Sequence, residues 1–173
     1  MSKIILIAGG AKSGKTKFAL KMLCENQGPL FYLATCPRID GEMDEKIENH
    51  KKERLGLNIE TIEEEIDIKK VLESMNNEAS VMMDCLTLWI NNLIYHQKDL
   101  SESDVEQEII HSFKSSKAKN IYVVTNEVGQ GLVPLEKESR KYRDLLGKAN
   151  QCLGEICDEA YLMSCGLSLK LKG

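Results

Sequence analysis

The amino-acid sequence predicts an α/β protein in which a mainly parallel sheet is covered by helices on both faces. Short β-prone apolar runs recur along the chain, and the stretches between them are long enough for crossover helices. The runs are almost continuously hydrophobic, as expected of strands that are buried on both faces. These observations together predict the fold class.

Five apolar runs are predicted as strands, and the segments between or after them carry apolar residues at helical spacing. The predicted strands cover residues 4–8, 30–34, 80–83, 121–125 and 160–163. The predicted helices cover residues 15–24, 40–54, 86–96, 103–117 and 139–158. The acid-rich segment 60–70 is interpreted as an additional edge strand followed by the start of a helix.

The chain length, the net charge and the short opening apolar run exclude several classes of protein. The 173 residues fit one domain, and no linker divides them, so we expect a single nucleotide-binding domain over residues 1–173. The net charge of −4 lacks the basic excess of nucleic-acid-binding proteins. The opening apolar run is far shorter than the roughly 20 residues of a membrane span. We therefore expect a cytoplasmic protein without a nucleic-acid partner or a membrane span.

The cysteines and histidines do not form a metal-binding pattern. None of the 6 cysteines belongs to a C-x-x-C pair, and none of the 3 histidines forms a short-spaced ligand pair with them. We expect reduced thiols and no structural zinc site.

A phosphate-binding loop follows the first predicted strand. The residues Gly9, Gly10, Ala11, Lys12, Ser13, Gly14, Lys15 and Thr16 match G-x-x-x-x-G-K-[ST] and open the first predicted helix. In such a loop the backbone N–H groups and the helix N-terminus surround phosphate oxygens. The lysine, here Lys15, reaches the β and γ phosphates, and the hydroxyl of Thr16 is available to Mg²⁺. The sequence therefore predicts a P-loop NTPase with a nucleoside triphosphate as ligand.

Asp84 ends the third apolar run, at the edge of the sheet where ligands of open α/β folds bind. A carboxylate there holds Mg²⁺ directly or through water, opposite the γ phosphate. The alternative is that Asp84 caps the helix predicted over residues 86–96. We favour the metal role because a P-loop needs such a partner.

His50 lies in a segment rich in charge. In the helix predicted over residues 40–54, Met43, Ile47, His50 and Arg54 share one face. With Lys51 and Arg54 beside it, His50 is placed to meet an anionic phosphate, and neutral imidazole is an available nucleophile or base. By spacing alone, a packed or surface role is the more common one for a lone histidine, and we assign that role to His96 and His111.

The chain as a whole resembles the bifunctional adenosylcobinamide kinase/adenosylcobinamide-phosphate guanylyltransferases of cobalamin biosynthesis. The most distinctive segment that carries the resemblance is VTNEVGQGLVP at 124–134, because the P-loop is shared with many NTPases. The other segments are GGAKSGKT at 9–16, YLAT at 32–35, D-x-EM at 40–43 leading to His50, DCLTLW at 84–89, Asn92, YRD at 142–144, Gly147 and NQ at 150–151.

The resemblance implies two reactions on a RecA-like scaffold. The first phosphorylates the aminopropanol hydroxyl of adenosylcobinamide with ATP or GTP. In the second, GTP guanylylates a histidine, which falls on His50 here, and GMP then passes to adenosylcobinamide phosphate, giving adenosylcobinamide-GDP. Mg²⁺ would accompany the nucleotide, and the family further implies a homotrimer. No base-reading motif distinguishes ATP from GTP as the phosphoryl donor.

The resemblance also implies a set of nucleotide contacts. These are Gly9 to Thr16, Thr35, Cys36, Pro37, Lys51, Lys52, Glu53, Arg54, Glu63 and Asp84. Three departures from the family pattern fall among or near them. Lys12 replaces an arginine, Leu55 replaces a proline after Arg54, and the tryptophan that usually follows is absent. The loop from Asn126 to Pro134 is a candidate lining of the corrinoid site.

Two other functions are consistent with the P-loop. One is a small-molecule kinase that uses Lys15, Thr16 and Asp84 without a covalent nucleotide on His50. The other is a non-enzymatic module in which nucleotide binding orders the segment 40–54 for a partner. Turnover with a corrinoid acceptor separates the module from both enzymes, and a covalent adduct separates the two enzymes.

Overall fold

The computed structural model describes residues 1–37, 48, 51, 52 and 54–173. Within these ranges the strands are β1 (Lys3–Gly9), β2 (Leu30–Ala34), β3 (Glu60–Glu63), β4 (Ser80–Asp84), β5 (Asn120–Asn126), β6 (Glu159–Ser164) and β7 (Leu167–Lys172). The helices are α1 (Lys15–Cys24), α2 (Ile68–Ser74), α3 (Leu86–His96), α4 (Glu102–Lys114) and α5 (Lys137–Ile156).

The seven strands of the described residues form one sheet in the order β3-β2-β4-β5-β1-β6-β7. All neighbouring pairs are parallel except β6 and β7, which form an antiparallel hairpin. The register pairs Gly9 with Asn126 and Ala34 with both Asp84 and Glu63. The carboxyl ends of the parallel strands therefore meet at one edge of the sheet, and the predicted α/β class is confirmed.

Helices cover both faces of the sheet because the strand residues on each face are apolar. On one face, α1 packs Ala19, Leu20 and Leu23 against Ile5 and Ile7 of the central strand β1. On the other face, α2, α3, α4 and α5 enclose a larger cluster around the fully buried Trp89 and Phe113. No helix of the described ranges is long and apolar enough to cross a membrane.

The predicted elements agree closely with the structure where both are defined. Strand 30–34 and helices 15–24 and 86–96 have the predicted bounds, and the edge strand and helix expected within 60–70 are β3 and the start of α2. Helix α4 ends at Lys114, three residues earlier than predicted, and α5 ends at Ile156, two residues earlier. Most of the helix predicted over 40–54 lies outside the described residues, although Lys51 and Lys52 are helical and Arg54 lies in a turn.

The C-terminal strand β7 was not predicted. Its sequence, LSLKLK, alternates strictly between leucine and polar residues, which is the pattern of a strand with one apolar face. The turn before it consists of Cys165 and Gly166, with φ values of 52 and 80. Consecutive positive φ values are typical of two-residue hairpin turns, which explains why β7 folds back antiparallel on β6.

Candidate active site

The P-loop joins β1 to α1 through a sharp change of backbone direction. Lys12 and Gly14 adopt positive φ values of 56 and 96, and Gly14 is the residue that precedes the first turn of α1. Glycine adopts this conformation without steric cost, which accounts for its place at position 14. The resulting loop directs the N-terminus of α1 toward the edge of the sheet.

The hairpin turn between β6 and β7 supports the P-loop from outside. The Gly166 N–H donates to the Ser13 carbonyl oxygen at 3.1 Å, and the Gly166 Cα lies 3.4 Å from the position that a Cβ on Gly14 would take. A Cβ on Gly9 would lie 2.4 Å from the Met163 carbonyl oxygen. The close approach of β6 therefore requires glycine at position 9, whereas at position 14 it is the positive φ that favours glycine.

Lys15 is buried at the floor of the loop, with 7% of its surface exposed. Its Nζ donates to the Gly10 carbonyl oxygen at 2.5 Å and to Ser13 Oγ at 3.4 Å. Both acceptors are neutral, and burial lowers the pKa of the Lys15 ammonium, while the negative charge of Asp84 opposes that shift. A buried cation held by neutral oxygens favours binding of an anion such as phosphate, which would compensate its charge.

Asp84 lies at the carboxyl end of β4, beside the P-loop. Its Oδ2 accepts a hydrogen bond from the hydroxyl of Thr16 at 3.3 Å and another from the hydroxyl of Tyr32 at 2.7 Å. A hydroxyl and a carboxylate are the oxygen ligands that Mg²⁺ prefers, directly or through water, so this pair fits the metal expected of a P-loop. The residue that precedes α3 is Cys85, without a side-chain capping bond, so Asp84 does not cap this helix.

The backbone beside Asp84 is fixed by Thr35, which follows β2. The Thr35 hydroxyl donates to the Cys85 carbonyl oxygen and accepts from the Cys85 N–H, each at 2.8 Å. The side-chain amide of Asn92 donates to the Thr35 carbonyl oxygen at 2.8 Å. Burial raises the pKa of the Cys85 thiol to about 12, so this cysteine stays a neutral packing residue. The peptide bond between Asp84 and Cys85 is cis.

The wall across from the P-loop comes from β2, from the edge strand β3 and from Lys51 and Arg54. Arg54 is buried, with its guanidinium carbon 3.6 Å from the ring centroid of Tyr32, and its Nη2 donates to Thr61 Oγ1 at 3.4 Å. Lys51 forms an ion pair with Glu63 at 3.7 Å. Thr61 and Glu63 both belong to the edge strand β3, so β3 holds the cationic side chains of Arg54 and Lys51 at this wall.

Asn126 forms a third side of the site at the end of β5. Its N–H donates to the hydroxyl of Thr87 at 2.7 Å, and its carbonyl oxygen accepts from the side-chain amide of Asn150 at 3.4 Å. The hydroxyl of Thr125 donates to Asn150 Oδ1 at 2.7 Å. These bonds attach the start of the 126–134 loop to α3 and α5.

A cleft of about 600 Å³ opens between these walls. Among the residues predicted to bind nucleotide, those that line it are Ala11, Lys12, Ser13, Gly14, Lys15, Thr16, Cys36, Lys51, Arg54, Glu63 and Asp84. Gly9, Gly10, Thr35, Pro37 and Lys52 do not line it, although Gly10 and Thr35 support residues that do. His50 and Glu53 lie outside the described residues.

Several residues of the cleft were not among the sequence-based candidates. They are Lys17, Tyr32, Ala34, Thr61, Cys85, Thr87, Leu88, Val124 and Asn126, of which Asn126 was considered only as part of a corrinoid loop. Tyr32 offered a signal, because it is a polar aromatic residue within the otherwise apolar run 30–34. All of the others except Lys17 and Thr61 lie in the segments 32–35, 84–89 and 124–134, which carry the family resemblance but do not mark these residues as part of a cleft. Nothing in the local sequence distinguishes Lys17 and Thr61.

Comparison with known proteins gives a family match over almost the whole chain. A sequence model described as cobinamide kinase / cobinamide phosphate guanyltransferase matches residues 5–171. The bifunctional adenosylcobalamin biosynthesis protein CobP of Pseudomonas aeruginosa is 35% identical over 169 residues, which cover 97% of this chain and 96% of the relative. The bifunctional adenosylcobalamin biosynthesis protein CobU of Escherichia coli is 31% identical over 183 residues, which cover 98% of this chain and 99% of the relative.

Solved structures of similar fold are ATPases of much greater length. An ATPase from the type III secretion system of pathogenic bacteria has a TM-score of 0.60 at 14% identity, with 97% of this chain and 56% of that chain covered. The ATP synthase subunit NeqB from Nanoarcheaum equitans has a TM-score of 0.60 at 10% identity, with 94% and 46% covered. The chain spans about half the length of these structures. They confirm the predicted P-loop α/β fold.

Proposed function

Because the chain belongs to the cobinamide kinase / cobinamide phosphate guanyltransferase family, it is a transferase of cobalamin biosynthesis, and we propose that both reactions occur in the cleft described above. The first phosphorylates adenosylcobinamide with ATP or GTP. The second transfers GMP from GTP, through His50, to adenosylcobinamide phosphate, giving adenosylcobinamide-GDP.

One observation carries this assignment of both reactions to one cleft. Lys51 and Arg54, which follow His50 by one and four residues, line the same cleft as Lys15 and Asp84. Two residues that closely follow the candidate nucleophile in the sequence therefore line the phosphate-binding site, on the wall across from the P-loop. This arrangement supports a binding mode in which the β and γ phosphates of the triphosphate lie on the P-loop and the α phosphate lies near Lys51 and Arg54.

In the kinase reaction, Lys15 and the backbone N–H groups of the P-loop bind the β and γ phosphates. The hydroxyl oxygen of adenosylcobinamide attacks the γ phosphorus, the bond to the β–γ bridging oxygen breaks, and the hydroxyl proton is released. The nucleoside diphosphate leaves. Lys15 stabilises the charge that develops on the leaving phosphate, because its ammonium is already held at that position by Gly10 and Ser13.

In the guanylyl transfer, an imidazole nitrogen of His50 attacks the α phosphorus of GTP, and pyrophosphate leaves. The P–N bond of the resulting phosphoramidate then breaks when a phosphate oxygen of adenosylcobinamide phosphate attacks the same phosphorus, which regenerates the histidine. Lys15 has the same role as before, since the β and γ phosphates now form the leaving group. Arg54 and Lys51 are placed to neutralise charge near the α phosphate.

Thr16 and Asp84 are the residues that would hold Mg²⁺, which when bound neutralises charge on the β and γ phosphates. Their hydrogen bond of 3.3 Å brings the two oxygen ligands to one point at the edge of the sheet. Asp84 is oriented by the hydroxyl of Tyr32 and by the hydrogen bonds between the Thr35 hydroxyl and the Cys85 backbone.

The loop that follows β5 is the segment that we assign to the corrinoid. It begins at Asn126, which lines the cleft, and exposes Leu132 and Leu135 to 96% and 90%. An exposed apolar segment beside a polar cleft suits a ligand with a large apolar ring system and a phosphate-accepting arm. The family resemblance also implies a homotrimer, which light scattering of the purified protein would test.

Intact-protein mass spectrometry tests the covalent reaction. Wild type incubated with GTP and Mg²⁺, without corrinoid, is expected to gain the mass of one GMP, and the adduct is expected to be acid-labile. His50→Ala is expected to gain none. His111→Ala is the matched control, because His111 is an exposed residue of α4, and it is expected to form the adduct as wild type does.

The kinase reaction is tested in the same variants with adenosylcobinamide and ATP. His50→Ala is expected to retain phosphorylation, whereas Lys15→Ala is expected to lose both phosphorylation and the adduct, by at least about a hundredfold. A wild-type protein that phosphorylates the corrinoid without forming an adduct would be a kinase alone. A protein that binds GTP but catalyses neither reaction would be a nucleotide-gated module.

A further inference from the structure

Tyr32 contacts both walls of the cleft, although no sequence pattern assigned it a function. It lies on β2, two residues before the carboxyl end of the strand, and only 3% of its surface is exposed. Its hydroxyl donates to Asp84 at 2.7 Å, and its ring lies under the guanidinium of Arg54 at 3.6 Å. A single buried side chain thus joins the metal side of the site to the segment that follows His50.

The hydroxyl of Tyr32 determines how the carboxylate of Asp84 is turned. In the described part of the chain, the side-chain donors to this carboxylate are Thr16 and Tyr32, and both donate to Oδ2. Two donors from different elements, α1 and β2, restrict rotation of the carboxylate, and they leave Oδ1 for water bound to a cation.

The ring of Tyr32 holds the other wall in place. A guanidinium over an aromatic face in a buried site is a strong form of cation–π contact. Arg54 is itself buried, and its N–H donates to the Lys51 carbonyl oxygen at 3.1 Å. The Tyr32 ring therefore fixes the position of Arg54 and, through the Arg54 backbone, that of Lys51, which directly follows His50 in the sequence.

We propose that Tyr32 is a positioning residue that couples Asp84, on one side of the cleft, to Arg54 and Lys51 on the other. Its hydroxyl orients the carboxylate for Mg²⁺, and its ring sets Arg54 and the turn before it at the α phosphate. This inference rests on the proposed function for the identity of the ligand. The two contacts of Tyr32 use different atoms, so substitutions separate them.

Tyr32→Phe removes the hydroxyl and keeps the ring. Binding is measured by calorimetry with the GTP analogue GMPCPP, whose α–β methylene bridge prevents nucleotidyl transfer, in Mg²⁺ and in EDTA. We expect about tenfold weaker binding in Mg²⁺, the size of one hydrogen bond to a charged group, and less than about a twofold change in EDTA. An equal loss in both conditions, or none, would overturn the role of the hydroxyl.

Tyr122→Phe is the matched control for this experiment. Tyr122 is a buried tyrosine of the same core cluster, and its hydroxyl accepts from Asn26 Nδ2 at 2.8 Å. Asn26 Nδ2 also donates to the Met22 carbonyl oxygen at 2.8 Å, so it keeps a partner in the variant. We expect GMPCPP binding to be unchanged in both Mg²⁺ and EDTA. A response equal to that of Tyr32→Phe would indicate a general effect of core tyrosines.

Tyr32→Leu tests the ring. At saturating GTP and Mg²⁺ we expect the rate of GMP adduct formation to fall about thirtyfold in Tyr32→Leu relative to Tyr32→Phe, as loss of a desolvated cation–π contact predicts. Equal rates in the two variants would overturn the role of the ring. Wild type without any adduct would overturn the proposed function instead. In that case calorimetry with GMPCPP still tests both roles of Tyr32. The role of the hydroxyl is tested by Tyr32→Phe as above, and the role of the ring predicts that Tyr32→Leu binds GMPCPP more weakly than Tyr32→Phe even in EDTA.

Discussion

Gly9 ends β1 beside the backbone of β6, where no side chain fits. A Cβ at this position would lie 2.4 Å from the Met163 carbonyl oxygen and 2.8 Å from Ser13 Oγ. We predict that Gly9→Ala lowers the free energy of unfolding by about 1–3 kcal/mol, as overpacking against rigid backbone does. It should also weaken nucleotide binding, because Ser13 belongs to the P-loop. Urea unfolding without nucleotide measures the first effect.

Gly10→Ala is the control for this prediction. No heavy atom lies within 4 Å of the position that its Cβ would take. We expect the free energy of unfolding to change by less than about 0.5 kcal/mol. If the two variants unfold at the same urea concentration, the close approach of β1 and β6 does not limit residue size at position 9.

At the residue scale, the sequence predicts contiguous motifs well and contacts between distant segments poorly. Gly9 to Thr16 form a local unit, because the loop and the helix N-terminus are made by neighbouring residues. Asp84 could be predicted because the end of a parallel strand has a known position. Tyr32 could not, because its role depends on Asp84 and Arg54, which are 52 and 22 residues away in the chain.

At the scale of elements, Glu159 of β6 links its own strand to β1 and β7, in the half of the sheet that lies away from β3. Its carboxylate pairs with Lys3 of β1 at 2.5 Å and with Lys170 of β7 at 3.3 Å. It also accepts a hydrogen bond from the hydroxyl of Tyr161 at 2.6 Å. The Lys3 hydrogen bond, followed by that from Tyr161, lowers the pKa of Glu159 to about 2 from its usual 4.5. The ionised carboxylate therefore stabilises the hairpin that supports the P-loop.

This lowered pKa predicts how stability depends on pH. Since the folded pKa is below the unfolded one, the stabilisation is complete above pH 4.5 and is lost as the pH falls toward about 2. Between about pH 6 and about pH 3.5, we expect the difference in unfolding free energy between wild type and Glu159→Gln to narrow by about 1 kcal/mol. Urea unfolding at both pH values measures it.

Glu73→Gln is the control for the pH experiment. It removes one carboxylate of an exposed helical pair, with Lys69 Nζ at 3.8 Å, and such pairs contribute little. The unfolding free energy of this variant should follow that of wild type at both pH values. If the difference in unfolding free energy between wild type and Glu159→Gln is the same at both pH values, then Lys3, Tyr161 and Lys170 do not stabilise the ionised carboxylate of Glu159.

Element prediction succeeded where the local pattern and the tertiary environment agree. The strands buried on both faces and the helices α1 and α3 have continuous or periodic apolar residues, which specify their bounds. Strand β7 was missed because its leucines alternate with polar residues, whereas the predicted strands are continuous apolar runs. Helix α4 ends at Lys114 because the Ser115–Ala118 turn returns the chain to β5, a requirement that helical periodicity does not contain.

At the scale of the whole molecule, the cleft exists because the carboxyl ends of separate strands meet. Lys15 follows β1, Asp84 ends β4, Glu63 ends β3 and Asn126 ends β5. Once a parallel sheet is predicted from the sequence, residues at the carboxyl ends of its strands are expected to lie along the same edge of the sheet. The order of the strands, and therefore which residues face each other across the cleft, is fixed by packing of the whole chain.

Because the walls of the cleft come from the loop after β1 and from the ends of β2, β3, β4 and β5, a bound triphosphate should stabilise the sheet as a unit. At a concentration of GMPCPP of 100 times its Kd, with Mg²⁺, we expect the free energy of unfolding to rise by about 2.7 kcal/mol. For a chain of this size, that corresponds to a Tm increase of about 5–11 °C, measured by differential scanning calorimetry. Lys15→Met, tested at the same ligand concentration, should show almost none of this increase, since the buried ammonium is the main charge for the phosphates. Tyr122→Phe should shift as wild type does. An equal increase in Lys15→Met would mean that the nucleotide binds elsewhere on the molecule.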